Sequence, residues 1–181
     1  MKKMSELGQQ GQQIWPDLPE TLQRVAVRAD DTDYWRLRSS YMGAGSPELV
    51  LRPTHDDEAA AVVEYATSVR REVGTTGNTG TTGNTSDPVP FSVRSGGHGI
   101  SGSSTNTGGI ILDLSSMRDI ELLDPQVGMF DVGAGAAWGD VAPVLTPHDL
   151  ALTSGNFGDT GVGGLATAGG VSSVVFGRGF F

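Results

Sequence analysis

Apolar residues recur at intervals of three and four between residues 56 and 73, and this spacing predicts the clearest helix of the chain. The apolar stripe consists of Ala59, Val62, Val63, Ala66, Val69 and Val73. Before it, Thr54 occupies an N-cap position and Asp57 follows three residues later, a capping-box pattern. After it, Gly74 is a natural end for a helix. We therefore expect an amphipathic helix over 56–73 that buries one face against the rest of the protein.

Short segments with a different pattern predict β-strands on both sides of this helix. Residues 110–114 are almost entirely apolar, as expected of a strand that is buried on both faces. Around Phe130, Asp131 and Val132, apolar and polar residues alternate, which indicates a strand with one face in water. The predicted strands are residues 48–52, ended by Pro53, and residues 90–94, 109–115, 119–124 and 128–133.

Two shorter helices complete the predicted elements. The first covers residues 18–28. The aromatic residues expected to pack it onto the body of the protein are Tyr34, Trp35 and Tyr41. The second covers residues 139–147, with Asp140 as its cap and Pro143 in its first turn, where proline is tolerated.

This order of strands and helices predicts the α+β fold class. We expect residues 1–45 to form an N-terminal tail and packing helix, with residues 1–13 disordered. Residues 46–181 are expected to form one domain of two α+β lobes, the first over about 46–115 and the second over about 116–181. Because the chain stops at two phenylalanines soon after a glycine-rich run, we expect the second lobe to be truncated at its C-terminus.

Composition narrows the possible classes of function. The 181 residues include 27 glycines, far above the usual share of roughly 7%, and these glycines follow no collagen-like period. The net charge is −9, from 12 basic and 21 acidic residues without a Lys/Arg cluster, so nucleic acid is excluded as the main partner. The absence of cysteine excludes disulfides and cysteine nucleophiles. Without a visible secretory signal or an apolar run near the roughly 20 residues that span a bilayer, we expect a cytoplasmic protein with no membrane partner.

The richest candidate for chemistry is the loop that follows the strand predicted at 90–94. Glycine and serine dominate this loop as far as Gly109, and it opens with Arg94, Ser95, Gly96, Gly97 and His98. A chain with so few side chains is suited to bringing its backbone amides close to a ligand, and amides in a tight turn bind anions such as phosphate. The plainer interpretation is a long surface loop with an exposed histidine. We favour a pyrophosphate site with His98 at its edge, because long ordered loops in compact domains tend to be functional.

A second glycine-rich stretch, at 156–164, offers a similar turn. It is typical of a phosphate-facing turn that leads into a helix, and equally typical of tight turns at the edge of a sheet. Two such loops favour one elongated anionic ligand between them. The segment 132–139 nearly matches the dinucleotide fingerprint G-x-G-x-x-G, but its third glycine is one residue late. We interpret that segment as a strand-to-helix turn with Trp138 in the core.

The remaining features point to no further site. Gly-Thr-Thr-Gly-Asn-Thr occurs at 74–79 and again at 80–85, and we interpret this repeat as a flexible surface loop rather than a phosphate loop, since no lysine follows it. His55 and His148 have no partners at ligand spacing, so no metal site is predicted. The chain contains no G-x-S-x-G elbow, and no residue is identified as catalytic.

Taken together, these segments resemble the berberine bridge enzyme-like FAD-linked oxidoreductases, which have the FAD-binding domain of the vanillyl-alcohol oxidase and p-cresol methylhydroxylase type. The resemblance covers roughly residues 20–181 and corresponds to the N-terminal part of longer family members. The matching segments, in the family's order, are Pro-Glu-Leu-Val-Leu-Arg-Pro-Thr at 47–54, Ser-Val-Arg-Ser-Gly-Gly-His at 92–98, Gly-Ile-Ile-Leu-Asp-Leu-Ser-Ser-Met at 109–117, Val-Gly-Ala-Gly-Ala-Ala-Trp-Gly-Asp-Val at 132–141 and Gly-Asp-Thr-Gly-Val-Gly-Gly-Leu at 158–165.

The resemblance implies an FAD cofactor that lies between the two lobes and is held covalently. The histidine that matches His98 is linked in the family to the 8α-methyl group of the flavin. Some members add a cysteinyl link, which this cysteine-free chain cannot form. The cofactor-binding residues implied in the first loop are Arg94, Ser95, Gly96, Gly97, His98 and Gly99. Those implied in the second loop are Gly158, Thr160, Gly161 and Gly164.

The implied function is that of an oxidoreductase, with hydride transfer to FAD from an alcohol, a sugar or a similar activated C–H carbon, and with oxygen as the acceptor. In longer family members the substrate domain and the usual catalytic base follow the part that this chain resembles. We therefore expect a second chain or a missing C-terminal segment to complete the site around a small-molecule substrate. The alternatives are a non-catalytic flavin-binding remnant that lacks the substrate domain, and a different nucleotide-binding module.

Overall fold

Helices and strands are mixed along the computed structural model, which describes residues 17–76 and 89–170. The helices are α1 (Glu20–Gln23), α2 (Tyr34–Leu37), α3 (Asp56–Thr76), α4 (Trp138–Leu145) and α5 (Val162–Ala168), with a 3-10 turn at Thr146–His148. The strands are β1 (Ala26–Val27), β2 (Ser39–Ser40), β3 (Gly43–Ala44), β4 (Leu49–Leu51), β5 (Phe91–Arg94), β6 (Ile110–Asp113), β7 (Ile120–Asp124) and β8 (Met129–Val132). The predicted α+β class is confirmed, and each strand predicted from the sequence is present, as β4 to β8.

The larger sheet has the strand order β1-β4-β6-β5. Both β4 and β5 run parallel to β6, while β1 pairs antiparallel with β4 at one edge. At the carboxyl ends of β5 and β6, Arg94 lies opposite Asp113. Parallel neighbours need a long crossover connection, and the glycine-rich loop at 95–109 is that connection. Both ends of the candidate loop are therefore fixed by strands of the same sheet.

Two apolar clusters cover the two faces of this sheet. The cluster on the α3 side includes Leu18, Leu22, Val25, Leu49, Leu51, Val62, Tyr65, Val69, Ile110 and Leu112. The cluster on the α2 side contains Tyr34, Leu37, Val50 and Ile111. Because successive strand residues point to opposite faces, β4 and β6 are buried on both sides, as the apolar run at 110–114 predicts.

A second structural layer follows the sheet in sequence. β7 and β8 form an antiparallel hairpin that packs with α4 and α5. The buried residues of this cluster are Ala136, Trp138, Val141, Leu145 and Val162. In β8, half-buried Phe130 and Val132 alternate with exposed Met129 and Asp131, which confirms the predicted period of two.

Helix α3 differs from its prediction in the residue at which it ends and in the residues that it buries. It continues to Thr76, so the prediction that Gly74 ends it is wrong. The residues of the predicted stripe that are buried are Val62, Ala66 and Val69. Val63 is exposed instead, and Tyr65 is in the core. The reason is geometric, because Val63 lies about 100° around the helix from Val62, away from the face that meets the sheet.

The N-terminal segment departs furthest from its prediction. In place of a helix over 18–28, one helical turn forms α1, and residues 26–27 form the edge strand β1. The backbone of residues 26–27 pairs with β4, and this pairing outweighs the local preference of the segment for a helix. Tyr34 is buried and its hydroxyl donates to the Pro47 carbonyl, but Trp35 and Tyr41 are largely exposed, so their predicted packing role is wrong.

The second predicted helix is present as α4 and the 3-10 turn after it. It begins at Trp138, which makes Asp140 its third residue. The Asp140 carboxylate accepts a hydrogen bond from the Ala137 N–H at 2.8 Å, so it caps the helix from inside its first turn. Pro143 consequently lies in the second turn, not in the first as predicted.

Several sequence predictions fall outside the described residues. They concern residues 1–13, the repeat from residue 77 onward and residues 171–181. The division of the chain at 45/46 and at about 115/116 stays a prediction. Among the helices described, none has the length and apolar character that a bilayer crossing would need.

The start of α3 is fixed by Glu58. The Glu58 carboxylate accepts hydrogen bonds from the Thr54 N–H at 2.8 Å and from the Thr54 hydroxyl at 2.9 Å, and it also pairs with Arg24. The predicted pairing of Thr54 with Asp57 is therefore wrong, because the helix starts at residue 56 and the carboxylate that reaches back is one residue later. The Thr54 amide, helped by the Thr54 hydroxyl and Arg24, lowers the pKa of Glu58 although burial raises it.

Glu58→Gln should lower the free energy of unfolding by about 1–2 kcal/mol at neutral pH, because a charged acceptor makes the stronger hydrogen bonds. Since the pKa of Glu58 is lowered on folding, its charged form stabilises the protein above the ordinary value of 4.5, and this contribution is lost as the pH falls below that value. Urea unfolding from about pH 7 to about pH 3 should show the two free energies converge. Glu64→Gln, on the exposed side of α3, is the control. A difference that did not change with pH would contradict the prediction.

Candidate functional site

Two glycine turns that are far apart in the sequence touch in the structure. A Cβ added at Gly96 would lie 2.4 Å from the backbone nitrogen of Gly161, and a Cβ added at Gly161 would lie 2.3 Å from the nitrogen of Gly96. Backbones can approach this closely only where side chains are absent. The loop after β5 and the turn before α5 therefore form one continuous surface, which a single ligand could cover.

The first turn presents backbone amides that have no acceptor within the described part of the chain. Gly97 adopts a left-handed conformation with φ +74°, which turns the chain sharply after Gly96. Among the hydrogen bonds of residues 17–76 and 89–170, none has the amide of Gly96, Gly97, His98 or Gly99 as its donor. Unpaired amides in a tight turn attract anions. The turn thus suits an anionic group such as a diphosphate.

Arg94 supports this turn from within the protein. Its Nη1 lies 2.7 Å from Oδ2 of the fully buried Asp113, and its Nε donates to the Ser39 carbonyl at 3.2 Å. A Cβ added at Gly97 would lie 3.1 Å from Nε and Nη2 of Arg94, so the guanidinium packs directly against the turn. The parallel register of β5 and β6 brings Arg94 and Asp113 together. A direct contact between Arg94 and a cofactor stays a prediction.

The strand-to-helix turn between β8 and α4 closes the site from a third side. Ser95 donates its hydroxyl to the Ala134 carbonyl at 2.7 Å. Gly135 approaches the carbonyl of Leu114 so closely that an added Cβ would lie 1.6 Å from its oxygen. The interpretation of this segment as a turn with Trp138 in the core is confirmed. The turn ties the glycine loop after β5 to the second structural layer.

An open cleft of about 430 Å³ lies where these segments meet, within the usual size range of small-ligand sites. Its lining residues are Arg36, Arg94, Ser95, Gly96, Ser115, Arg118, Gly135, Ala137, Asp140, Gly158, Asp159 and Gly161. Three arginines and two aspartates lie in this lining. The arginines have acidic partners, Arg36 with Asp33, Arg94 with Asp113 and Arg118 with Asp140, so the cleft is polar and its charges are paired.

Arg118 and Asp140 form an ion pair in the cleft that no sequence pattern indicated. Nη2 of Arg118 lies 2.6 Å from both carboxylate oxygens, and its Nε lies 3.1 Å from Oδ2. The hydrogen bonds from Arg118, and next the one from the Ala137 amide, hold the pKa of Asp140 below its ordinary value. A carboxylate fixed in its charged form is a weak base, so Asp140 is suited to orienting Arg118 rather than to accepting a proton.

His98 stands at the edge of the two turns, with Asp159 and Tyr41 as neighbours. Its Nε2 lies 3.4 Å from Oδ2 of Asp159. Its ring stacks on that of Tyr41, with centroids 6.1 Å apart and planes 19° from parallel. The Tyr41 N–H donates to the Gly97 carbonyl at 2.8 Å, which holds the stack in place. The imidazole is half-buried, so it is oriented by its neighbours and still reachable from solvent.

The residues implied as cofactor contacts do not all share the cleft. Those that line it are Arg94, Ser95, Gly96, Gly158 and Gly161. Those in the same two turns beside it are Gly97, His98 and Thr160. Gly99 and Gly164 are exposed, and a Cβ added at Gly164 would meet open space. The roles of all these residues in cofactor binding stay predictions. The contact between the two turns, in contrast, is a feature of the fold.

These features fit the diphosphate of FAD. Glycine backbones leave free the space that side chains would fill, and amides without an acceptor in the described residues supply partial positive charge beside it. Within the described parts of the chain, no group of three or more His, Cys, Asp or Glu side chains could hold a metal ion.

Comparison with known proteins identifies the family. The family model of the FAD binding domain matches residues 84–180, more than half of the chain. The chain is 30% identical over 155 residues to (R)-6-hydroxynicotine oxidase of Paenarthrobacter nicotinovorans, a match that covers 84% of this chain and 30% of that protein. It is 42% identical over 84 residues to the FAD-dependent monooxygenase tpcD of Cochliobolus heterostrophus, a match that covers 46% of this chain and 16% of that protein. The chain thus spans less than a third of the length of these relatives.

Solved structures share the fold. 6-Hydroxy-D-nicotine oxidase of Arthrobacter nicotinovorans superposes with a TM-score of 0.61 and 27% identity, over 77% of this chain and 27% of that one. Chitooligosaccharide oxidase gives a TM-score of 0.59 at 21% identity, over 81% and 30% of the two chains, a likeness of fold alone. The p-cresol methylhydroxylase-type fold predicted from the sequence is confirmed. The chain therefore belongs to the FAD binding domain family, and it shares its fold with a berberine bridge enzyme-like protein of Physcomitrella patens, at 18% identity and a TM-score of 0.60 over 81% of this chain and 29% of that one.

Proposed function

We propose that this chain is the flavin-binding part of an FAD-linked oxidoreductase, with the flavin attached covalently to His98. The observation that supports it best is the contact between the turns at Gly96 and Gly161, with His98 at the edge of their shared surface. Family members attach flavin to the histidine that matches His98. In this chain that histidine is half-buried and oriented, as a residue that must meet a cofactor should be.

The two turns would hold FAD mainly through the backbone. The amides of Gly96, Gly97, His98 and Gly99 would donate to diphosphate oxygens, together with those of Gly158 and Gly161 in the second turn. Arg94 keeps the first turn in shape, because Asp113 and the Ser39 carbonyl fix its guanidinium. A site supported in this way is formed before the ligand arrives, which reduces the cost of binding.

Bound FAD would supply the redox chemistry by accepting a hydride from an alcohol, sugar or similar activated carbon, with dioxygen as the acceptor that restores it. We infer that groups outside this chain supply the catalytic base and enclose the small-molecule substrate. Two carboxylates line the cleft, but Asp140 is held charged by Arg118, and Asp159 is 77% exposed. A second polypeptide segment is therefore the proposed partner.

Purified protein should carry flavin that stays with it after acid precipitation, because a covalent bond survives denaturation. His98→Ala should lose all acid-stable flavin, whereas His148→Ala, at an exposed histidine outside the cleft, should keep it. Flavin fluorescence of the denatured proteins on a gel measures the attached flavin in the wild type and in each variant. A colourless wild type would contradict the FAD proposal, and acid-stable flavin in His98→Ala would contradict the choice of anchor.

Anaerobic mixing of the flavin-loaded protein with alcohols and sugars tests whether this chain transfers hydride by itself. Loss of the yellow flavin absorbance would support an oxidoreductase that is already active in this form. Flavin that no such compound bleaches would favour the non-catalytic flavin-binding alternative.

A further inference from the structure

Asp159 is the acidic residue paired with His98 in the described part of the chain. Its Oδ2 lies 3.4 Å from Nε2 of His98, and the two side chains are 77% and 29% exposed. Its backbone is held against the first turn, since a Cβ added at Gly96 would lie 3.2 Å from the Asp159 carbonyl oxygen. The carboxylate is thus anchored at its backbone, and its exposed side chain can rotate into hydrogen-bond range of the imidazole Nε2, which lies slightly beyond that range.

The imidazole of His98 is oriented from two directions. Tyr41 stacks on the face of its ring, and Asp159 lies at its Nε2 edge. A carboxylate next to Nε2 favours the tautomer with the proton on Nε2, because that proton can then be donated to it. Nδ1 is left with its lone pair, in the form that acts as a nucleophile.

We propose that Asp159 is a positioning residue for the attachment of flavin to His98. This inference rests on the proposed function, and it assigns Asp159 two tasks. The carboxylate holds the ring with Nδ1 unprotonated, and it stabilises the positive charge that the ring acquires when Nδ1 forms a bond.

The attachment step is a redox reaction between His98, FAD and dioxygen. The Nδ1 lone pair bonds to the 8α-methyl carbon of the flavin, and one C–H bond of that methyl group breaks. The imidazole also releases its N–H proton, so two protons and two electrons in total reduce the flavin. Dioxygen then takes up these two electrons and two protons as hydrogen peroxide, which restores the oxidised, attached flavin.

The other carboxylates around the site are already engaged. Asp113 is fully buried against Arg94, and Asp140 is bound by Arg118 through three hydrogen bonds. Their charges are balanced before any ligand arrives. Within the described residues the Asp159 carboxylate has its close polar contact with His98, so its negative charge is available to stabilise positive charge on that ring.

The test measures flavin attachment rather than turnover. The full chain is produced without flavin in riboflavin-starved cells, and FAD is added in air at several concentrations. The growth of acid-stable flavin fluorescence gives a maximum rate and the FAD concentration at half that rate. Asp159→Asn removes the charge at almost constant size. Asp131→Asn, on the exposed face of β8, removes the same charge elsewhere and is the matched control.

We expect Asp159→Asn to lower the maximum rate about fivefold, the size typical of an exposed charge pair, with the half-saturating FAD concentration unchanged. Asp159→Glu should restore part of the rate, and Asp131→Asn should match the wild type. An unchanged maximum rate would overturn the role of Asp159, and so would an effect confined to the half-saturating concentration. Absence of acid-stable flavin from every protein, wild type included, would overturn covalent attachment itself and this inference with it.

Discussion

Asp113→Ala is expected to lower the free energy of unfolding by about 3–5 kcal/mol, because it leaves a buried guanidinium without its counter-charge. Asp113 is 0% exposed and Arg94 is 9% exposed, so water cannot replace the lost partner. Small domains have a total stability of about 5–15 kcal/mol, and the variant should therefore unfold at a much lower urea concentration. It should also bind FAD weakly, because the Arg94 guanidinium that packs against Gly97 loses its fixed position.

Matched variants separate this ion pair from general disruption of the core. Arg94→Met combined with Asp113→Leu should be more stable than Asp113→Ala alone, since neither buried charge remains. Asp33→Ala removes one partner of the Arg52–Asp33 pair, whose side chains are 29% and 52% exposed, and should cost at most about 1 kcal/mol. A cost of Asp113→Ala no greater than that of Asp33→Ala would contradict the prediction. Should Asp113→Ala fail to fold, Asp113→Asn supplies the measurement.

Gly161→Ala is expected to destabilise the protein by about 3 kcal/mol and to lower its flavin content. The backbone of Gly161 is extended, with φ −69° and ψ 133°, so alanine is compatible with the conformation itself. The cost comes from space, because the added Cβ would lie 2.3 Å from the Gly96 nitrogen and 2.5 Å from the Ser95 hydroxyl. The two turns must move apart to accept it, and the surface that they share is then lost.

The control for the effect of Gly161→Ala on stability lies in the same segment. A Cβ added at Gly164, inside α5, has no atom within 4 Å. Gly164→Ala should therefore leave stability unchanged or raise it by up to about 1 kcal/mol, the usual preference of a helix for alanine. Urea unfolding of both variants measures the contrast. Equal stabilities for Gly161→Ala and Gly164→Ala would contradict the close contact between the turns.

Much of the fold could be predicted because its signals are local. The apolar run in β6, the alternation in β8 and the stripe of α3 each arise from the repeat of one element, and each element is present. One error occurred where long-range pairing outweighed local preference, since residues 26–27 pair with β4 instead of extending α1. A second error concerns the end of α3, which continues through Gly74 into the first residues of the glycine-rich repeat.

The candidate site was only partly predictable for the same reason. Glycine-rich sequence indicated both turns, because absent side chains can be seen in the sequence. The partners of the charged residues could not be seen there. Arg94 meets Asp113 through the register of two parallel strands, and Arg118 meets Asp140 across the boundary between the sheet and the second layer.

The sequence by itself therefore determined the strands β4 to β8, the helices α3 and α4, the two glycine turns and the family. The tertiary structure decided that the backbones of Gly96 and Gly161 touch, that Arg94 is committed to a buried ion pair, and that Asp159 lies beside His98. The physical reason is that periodicity acts between residues a few positions apart. Contacts between distant residues depend on how strand ends and turns come together when the chain folds.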